Sequence, residues 1–349
     1  MKYLSEHDEL YAKLEVYLEN IVFKHNSNQF MKEDAILKGF NEDVGTNEAL
    51  SKLEITDLIR SKLNDRISDV VELPTKFDDR LSFGIASELM SKVGVVSKLF
   101  PFNHENYAGF CCVPTGKVSA LAVPVKNENE SKVFVVFESG LFQFISGVFS
   151  IFVNSMPKDL LKGGDKKEWH KVWHDFLVDA ENKDTLLEFS DDLKNWRHFF
   201  DHYNVDGSLA YSSAHSFGEN GYKIYSDMLR GCELFIAAHE YSHAMLKHQN
   251  GDLDPVEVEK EADTWGIRLA SLIFDIEDIN INLAICGIAL FFSAIDSNSP
   301  SHYLPSSERI NYVIEALNFE DSNISNLMHD LAELIQKMYE DVINYRVLI

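Results

Sequence analysis

The sequence predicts an α+β fold in which a small sheet lies between two helical regions. Apolar residues recur at helical spacing through the first hundred positions, β-branched and aromatic runs follow between 108 and 138, and helical patterns return from residue 232 onward. With 349 residues and 45% hydrophobic content, the chain is long enough for one large domain or two modest ones. We therefore divide it into a helical region of unknown role, 1–105, and a second domain, 106–349.

Three segments of the N-terminal region have the periodicity of amphipathic helices, at 9–23, 48–62 and 84–99. Polar turns such as the one at 41–45 separate them. No residue pattern in these segments indicates chemistry, so the sequence assigns them no function.

Strand-like runs follow at 110–113, 118–125 and 133–137, and a polar turn joins the last two. These runs predict a small antiparallel sheet. The apolar stretch 133–153 is interrupted at Glu138, Ser139 and Gly140, so we interpret it as a strand followed by an aromatic-rich helix rather than a membrane span.

The second domain contains a polar segment, 157–231, that we interpret as a lid or substrate-binding insertion. The apolar run 283–295 is shorter than a bilayer requires and predicts a buried helix. A long amphipathic helix is expected at about 324–345.

Charge and cysteine content limit the partners. Thirty-two basic and 56 acidic side chains give a net charge of −24, which repels phosphate backbones and anionic lipids, so we expect neither nucleic acid nor membrane as a partner. The four cysteines lack Cys-x-x-Cys spacing, and no secretory signal is evident at the start. Both features favour a cytoplasmic location.

The segment His239-Glu240-Tyr241-Ser242-His243 carries the clearest chemistry, and it lies in a predicted helix at 232–248. Residues four apart share one helix face, so both imidazoles can reach a single zinc ion. Glu240 is offset by about 100° around the helix, which suits a general base acting on a water molecule that the metal activates.

A catalytic zinc site needs a third protein ligand, and the next predicted helix supplies it. Pro255 suits the first helical position, and Glu259 and Asp263 then share one face. We assign Glu259 as the third ligand and Asp263 as the acceptor for the other ring nitrogen of a ligand histidine. Glu261 is the alternative ligand.

Other histidine patterns are weaker. The metzincin pattern needs Gly at 246 and His at 249, where the chain has Leu246 and Gln249. The members of the pairs His170/His174 and His198/His202 are also four residues apart, but Lys171 and Phe199 stand where a general base would follow the first histidine. We interpret these pairs as solvated histidines on helix faces rather than as a second metal site.

The two motifs together resemble the gluzincins that have a Glu-x-x-Ala-Asp helix, and within them the Lit-type phage-exclusion peptidases. The resemblance rests on 239–248, on Glu259-Lys260-Glu261-Ala262-Asp263 and on Glu308-Arg309-Ile310 after His302. It implies a zincin-like metallopeptidase core and a dormant cytoplasmic protease. On this resemblance, a phage or stress-derived peptide or protein would activate it to cleave a host protein, typified by the translation factor elongation factor Tu.

The segment after His302 departs from that family, because Tyr303 follows where the family has proline. His302 or Tyr303 can donate a hydrogen bond to the oxyanion of a tetrahedral intermediate. The alternative is a loop histidine, with Arg309 paired to Glu308 or to a helix end.

The sequence therefore predicts zinc-dependent hydrolysis of a peptide bond in a cytoplasmic protein. Two other functions stay open: a stress-response protease that cleaves a repressor, and a sensor in which zinc is structural. A fourth protein ligand such as His248 or His302 would favour the sensor, whereas an open coordination position would favour the enzyme.

Overall fold

Helices and one three-stranded sheet make up the described part of the chain, so its class is α+β, as predicted. The computed structural model describes residues 6–24, 73–78, 80–126, 131–155, 219–246, 248, 254–298 and 304–317. The strands are β1 (Tyr107–Val113), β2 (Ala120–Lys126) and β3 (Ser131–Glu138). The helices are α1 (Glu6–Lys24), α2 (Arg80–Ser97), α3 (Ser139–Ser155), α4 (Glu219–Leu246), α5 (Pro255–Glu277), α6 (Ile281–Asn298) and α7 (Ser306–Ala316).

The described residues form two compact units. Those within Met1–Phe144 and Glu240–Leu253 belong to the first unit, and those within Ile145–Val205, Tyr211–His239 and Asp254–Ile349 belong to the second. The first unit contains the sheet with α1 and α2, and the second is helical among its described residues. Helix α4 is continuous through the boundary between His239 and Glu240.

Helix α1 covers one face of the sheet in the first unit. Leu10, Leu14 and Leu18 recur every four residues and are 3%, 0% and 1% exposed, so they form one apolar stripe. This stripe packs on sheet residues that include Val123 and Phe134. The helix predicted at 9–23 is therefore present, and the sheet explains its apolar face.

The sheet is mixed, so the prediction of an antiparallel sheet is wrong for one of its two strand pairs. Its order is β1-β3-β2, with β3 parallel to β1 and antiparallel to β2. Strand β3 is buried on both faces from Val133 to Glu138, which suits a central strand. Strand β2 alternates between buried and exposed residues and contains Pro124, which lacks the N–H that a central strand needs.

The apolar stretch after the sheet divides as predicted, because β3 ends at Glu138 and α3 begins at Ser139. The run 283–295 lies within α6, whose residues from Leu283 to Ala294 are almost all buried. Among the described residues, no helix has both the length and the apolarity needed to cross a bilayer.

Helix α4 starts at Glu219, well before the predicted start at residue 232. Gly231 precedes the predicted start and lies inside the helix, where its lack of a side chain allows close packing. A Cβ atom at Gly231 would lie 2.3 Å from the Cβ of Ala284 in α6, and one at Gly287 would lie 2.6 Å from the backbone oxygen of Met228. Small residues therefore let α4 and α6 approach closely within the second unit.

Several predicted segments lie outside the described residues. These are the helix at 48–62, the part of 157–231 that precedes Glu219, and the amphipathic helix at 324–345. All four cysteines are described, and each is buried and outside a disulfide.

We expect Gly231→Ala to lower the free energy of unfolding by about 1–3 kcal/mol, because the added methyl group overlaps Ala284 and forces the two helices apart. Gly94→Ala in α2 is the matched control, since nothing lies within 4 Å of a Cβ atom there. That change should stabilise the chain by about 0.5–1 kcal/mol through reduced backbone freedom in the unfolded state. Urea unfolding of both variants tests this, and equal effects at the two glycines would contradict the packing argument.

Candidate metal centre

Helix α4 places the two motif histidines one turn apart, close to its C-terminal end. His239 is 7% exposed and His243 is 8% exposed, so both imidazoles are largely removed from solvent. Glu240 follows His239 directly and is 8% exposed. Buried polar side chains need partners, and a shared metal ion satisfies two ring nitrogens and a carboxylate together.

Helix α5 brings the third predicted ligand to His239 in the second unit. Pro255 occupies the start of the helix and the side chain of Asp254 caps it, accepting a hydrogen bond from the backbone N–H of Val256 at 3.0 Å. Glu259 lies one turn into α5, and its Oε2 is 3.6 Å from Nε2 of His239. The start predicted from Pro255 therefore matches the structure.

His239, His243 and Glu259 form a group that can hold a metal ion. Each offers one ligand atom, and these atoms lie within 4.8 Å of one another. Two ligands of one tetrahedral zinc ion are about 3.4 Å apart when each bond is about 2.1 Å, so the 3.6 Å separation of His239 and Glu259 fits. The donor set of two imidazoles and one carboxylate also suits zinc.

Asp263 lies one turn beyond Glu259 and is fully buried, at 0% exposure. Its Oδ1 is 2.9 Å from Nδ1 of His239. Nδ1 of His239 thus faces Asp263 while Nε2 faces Glu259. This is the relation between a metal-binding imidazole and the carboxylate that orients it.

Arg309 of α7 compensates the buried charge of Asp263. Its Nε donates to Oδ2 at 2.8 Å and its Nη2 donates to Oδ1 at 2.7 Å, a bidentate pair. Nη2 also lies 3.5 Å from Oε2 of Glu259, and the guanidinium is 4.2 Å from the ring centre of Phe292. From the sequence, Arg309 was expected to pair with Glu308 or with a helix end if His302 is only a loop residue. Its pairing with Asp263 was not predicted.

The contacts shift two pKa values in opposite directions. Burial alone lowers the pKa of His239, but the carboxylates of Asp263 and Glu259 outweigh burial and raise it. Burial alone raises the pKa of Asp263, but the charge and hydrogen bonds of Arg309, with His239, hold it below its ordinary value. Asp263 is therefore a carboxylate at neutral pH.

Close helix packing sets the distance between α5 and His239. A Cβ atom at Gly266 would lie 3.1 Å from the backbone nitrogen and Cα of His239. Gly266 is one turn beyond Ala262, which is also fully buried, so small residues of α5 lie against α4 at this point. Gly266 follows Asp263 by three residues, and a glycine within a helix so close to the motif is a sequence signal for close backbone approach.

In the first unit, His243 is accompanied by His248. The two Nδ1 atoms are 2.9 Å apart, and the backbone N–H of His248 donates to the carbonyl of His243 at 3.3 Å. His248 is a candidate fourth ligand from the sequence, whereas the structure places its Nδ1 against Nδ1 of His243. Glu261, the alternative third ligand, is exposed and is not in the metal-binding group of the described residues.

The motif residue Tyr241 binds the N-terminal part of the first unit. Ser97 of α2 donates to its hydroxyl at 3.2 Å, Nδ1 of His104 is 3.1 Å from the same oxygen, and its ring is 4.9 Å from that of Tyr107. The sequence analysis gave this position no role. These contacts attach the C-terminal turns of α4 to α2 and β1.

His302 and Tyr303, the two predicted oxyanion donors, lie outside the described residues, as do the pairs His170/His174 and His198/His202. The prediction that one of them donates to an oxyanion therefore stays a prediction. Helix α7, which follows Pro305, is described from Ser306.

No protein-family model, no curated protein and no solved structure matches this chain.

We expect Arg309→Leu to cost about 3–5 kcal/mol of unfolding free energy, because it leaves the buried carboxylate of Asp263 without its main cation. Arg268→Leu on α5 is the matched control. That guanidinium lies 5.4 Å from the ring centre of Trp265, a contact worth about 1 kcal/mol or less.

The double variant Asp263→Asn/Arg309→Leu should regain part of the loss, since it removes the buried charge as well. Urea unfolding of the three variants measures the effect. A loss at Arg309 no greater than that at Arg268 would mean that the pair does not hold α5 and α7 together.

Proposed function

We propose that this chain is a zinc-dependent endopeptidase with a zincin-like core. The observation that carries the proposal is the group formed by His239, His243 and Glu259, with Glu240 directly after the first of these histidines. Three ligands of this kind, two from one helix turn and one from the next helix, are typical of catalytic zinc sites that keep a fourth position open.

The residues of the chain take distinct roles in this proposal. His239, His243 and Glu259 would hold the ion, which when bound polarises a carbonyl group and activates a water molecule. Glu240 accepts a proton from the attacking water and passes it to the nitrogen of the leaving amine.

Asp263 and Arg309 position the ligands rather than react. Asp263 contacts Nδ1 of His239 at 2.9 Å, which keeps the proton on that nitrogen and leaves Nε2 as the ligand atom on the side of Glu259. Arg309 fixes Asp263 through two hydrogen bonds and lies 3.5 Å from Glu259. The guanidinium of Arg309 therefore orients two carboxylates, and both of these lie against the imidazole of His239.

The sensor alternative requires a closed site with a fourth protein ligand. Among the described residues, the metal-binding group has three members, and His248 lies against Nδ1 of His243. His302, the other candidate for a fourth ligand, lies outside the described residues. Burial raises the pKa of the Cys111 and Cys232 thiols well above the ordinary value, which disfavours a nucleophilic role for these two cysteines.

The biological setting of the proposal comes from the sequence resemblance to Lit-type peptidases. We propose a cytoplasmic protein substrate, a translation factor being the first to examine, and activation by a phage or stress-derived peptide or protein. Cleavage of a repressor during stress is the competing substrate assignment. Labelling of new protein N-termini in cells expressing the parent or Glu240→Gln, with and without phage infection, distinguishes the two.

We expect Glu240→Gln to retain about one zinc per chain while losing peptide cleavage by about 100-fold or more, because the amide cannot accept the proton of the attacking water. Zinc content is measured by atomic emission, and cleavage by mass spectrometry of a proteome-derived peptide library. Glu261→Gln is the matched control and should keep both properties. Cleavage that survives in the Glu240 variant would overturn the mechanism.

A second test separates the two candidate third ligands. Glu259→Gln should weaken zinc binding by at least about 10-fold, because it removes an anionic ligand, while Glu261→Gln should leave the affinity unchanged. Competition with a chromophoric chelator measures both. The opposite ranking would assign Glu261 as the ligand.

A further inference from the structure

We infer that His248 positions His243 for metal binding by holding the proton of that ligand on Nδ1. The inference rests on the proposed metal site and adds to it a positioning residue, which acts through the ligand His243. It concerns the first unit, where His243 and His248 both lie.

The geometry between the two rings is that of one hydrogen bond. Nδ1 of His243 and Nδ1 of His248 are 2.9 Å apart, and the ring centres are 5.0 Å apart at an interplanar angle of 75°. The backbone also fixes His248, since its N–H donates to the carbonyl of His243 at 3.3 Å just beyond the end of α4. His248 is thus held against the ligand ring by its main chain and by its side chain.

A hydrogen bond between two imidazole nitrogens contains one proton, so one ring donates and the other accepts. When His243 donates from Nδ1, the lone pair of its Nε2 is available to a metal ion. When His248 donates instead, His243 carries its proton on Nε2, and that nitrogen cannot bind metal. The metal-binding state therefore requires His248 to accept at Nδ1.

The other ligand histidine, His239, also has a partner at its Nδ1 atom. Nδ1 of His239 faces Asp263 at 2.9 Å, and its Nε2 faces Glu259 at 3.6 Å. Nδ1 of each ligand ring thus lies 2.9 Å from an acceptor atom. The acceptor is a carboxylate oxygen for His239 and the nitrogen of a neutral imidazole for His243. A neutral acceptor orients the ring without adding a buried negative charge.

Two substitutions at His248 distinguish the effect of its acceptor atom from the effect of its aromatic ring. His248→Phe keeps an aromatic ring but removes the acceptor, whereas His248→Asn places an amide oxygen where Nδ1 was. We expect zinc affinity to fall about 10–100-fold in the Phe variant and to stay within about threefold of the parent in the Asn variant. His104→Phe is the matched control, because that ring nitrogen contacts the hydroxyl of Tyr241 rather than a ligand, and it should leave zinc affinity unchanged.

Zinc affinity is measured on the full chain by competition with a chromophoric chelator, and the ligand geometry by the visible spectrum of the cobalt-substituted protein. Circular dichroism checks that each variant folds. If the Phe variant does not fold, His248→Ala replaces it in the same comparison with His248→Asn.

The outcomes separate this inference from the proposed function. A parent chain that binds no zinc contradicts the metal site itself. A parent that binds zinc, with a Phe or Ala variant of equal affinity and an unchanged cobalt spectrum, overturns the role of His248 alone. Equal losses in the Phe and Asn variants also overturn it, because the acceptor would then not be the property that matters.

Discussion

The buried carboxylate of Asp263 is the constraint on which the candidate site depends. A charge at 0% exposure is costly unless it is paired and hydrogen-bonded, and Asp263 meets this condition through Arg309 and His239. These three residues come from α5, α7 and α4, so the pairing requires the three helices to meet at one point. Glu259 lies one turn from Asp263, and the same constraint brings it to the Nε2 side of His239.

Small residues make this meeting of helices sterically feasible. Gly266 allows the backbone of α5 to approach His239, and Gly231 with Ala284 does the same for α4 and α6. An aspartate side chain is short, so its 2.9 Å contact with an imidazole on a neighbouring helix needs close backbones. Packing and electrostatics therefore act together: the glycines set the helix separation, and the charges fix which side chains face each other across it.

Sequence reasoning reached the parts of the site that depend on local periodicity. The four-residue spacing of His239 and His243 and that of Glu259 and Asp263 each define one face of one helix. It did not find Arg309 or His248 as partners, because neither contact follows from spacing within a helix. It also predicted an antiparallel sheet, whereas β1 pairs in parallel with β3, because an up-down-up run of three strands is compatible with β3 at the edge or at the centre. The full burial of β3 decides for the centre.

The sequence by itself determined the three strands, the metal-binding candidates His239, His243 and Glu259, and the helix faces on which these residues lie, because each follows from a repeat of 3.6 or 2 residues and from side-chain chemistry. The tertiary structure alone decided which nitrogen of His239 faces Asp263, which cation balances that carboxylate, and where β3 pairs. The reason is physical: a buried charge must find its partner wherever the fold brings one within about 3 Å, and that distance carries no signature in the order of residues along the chain.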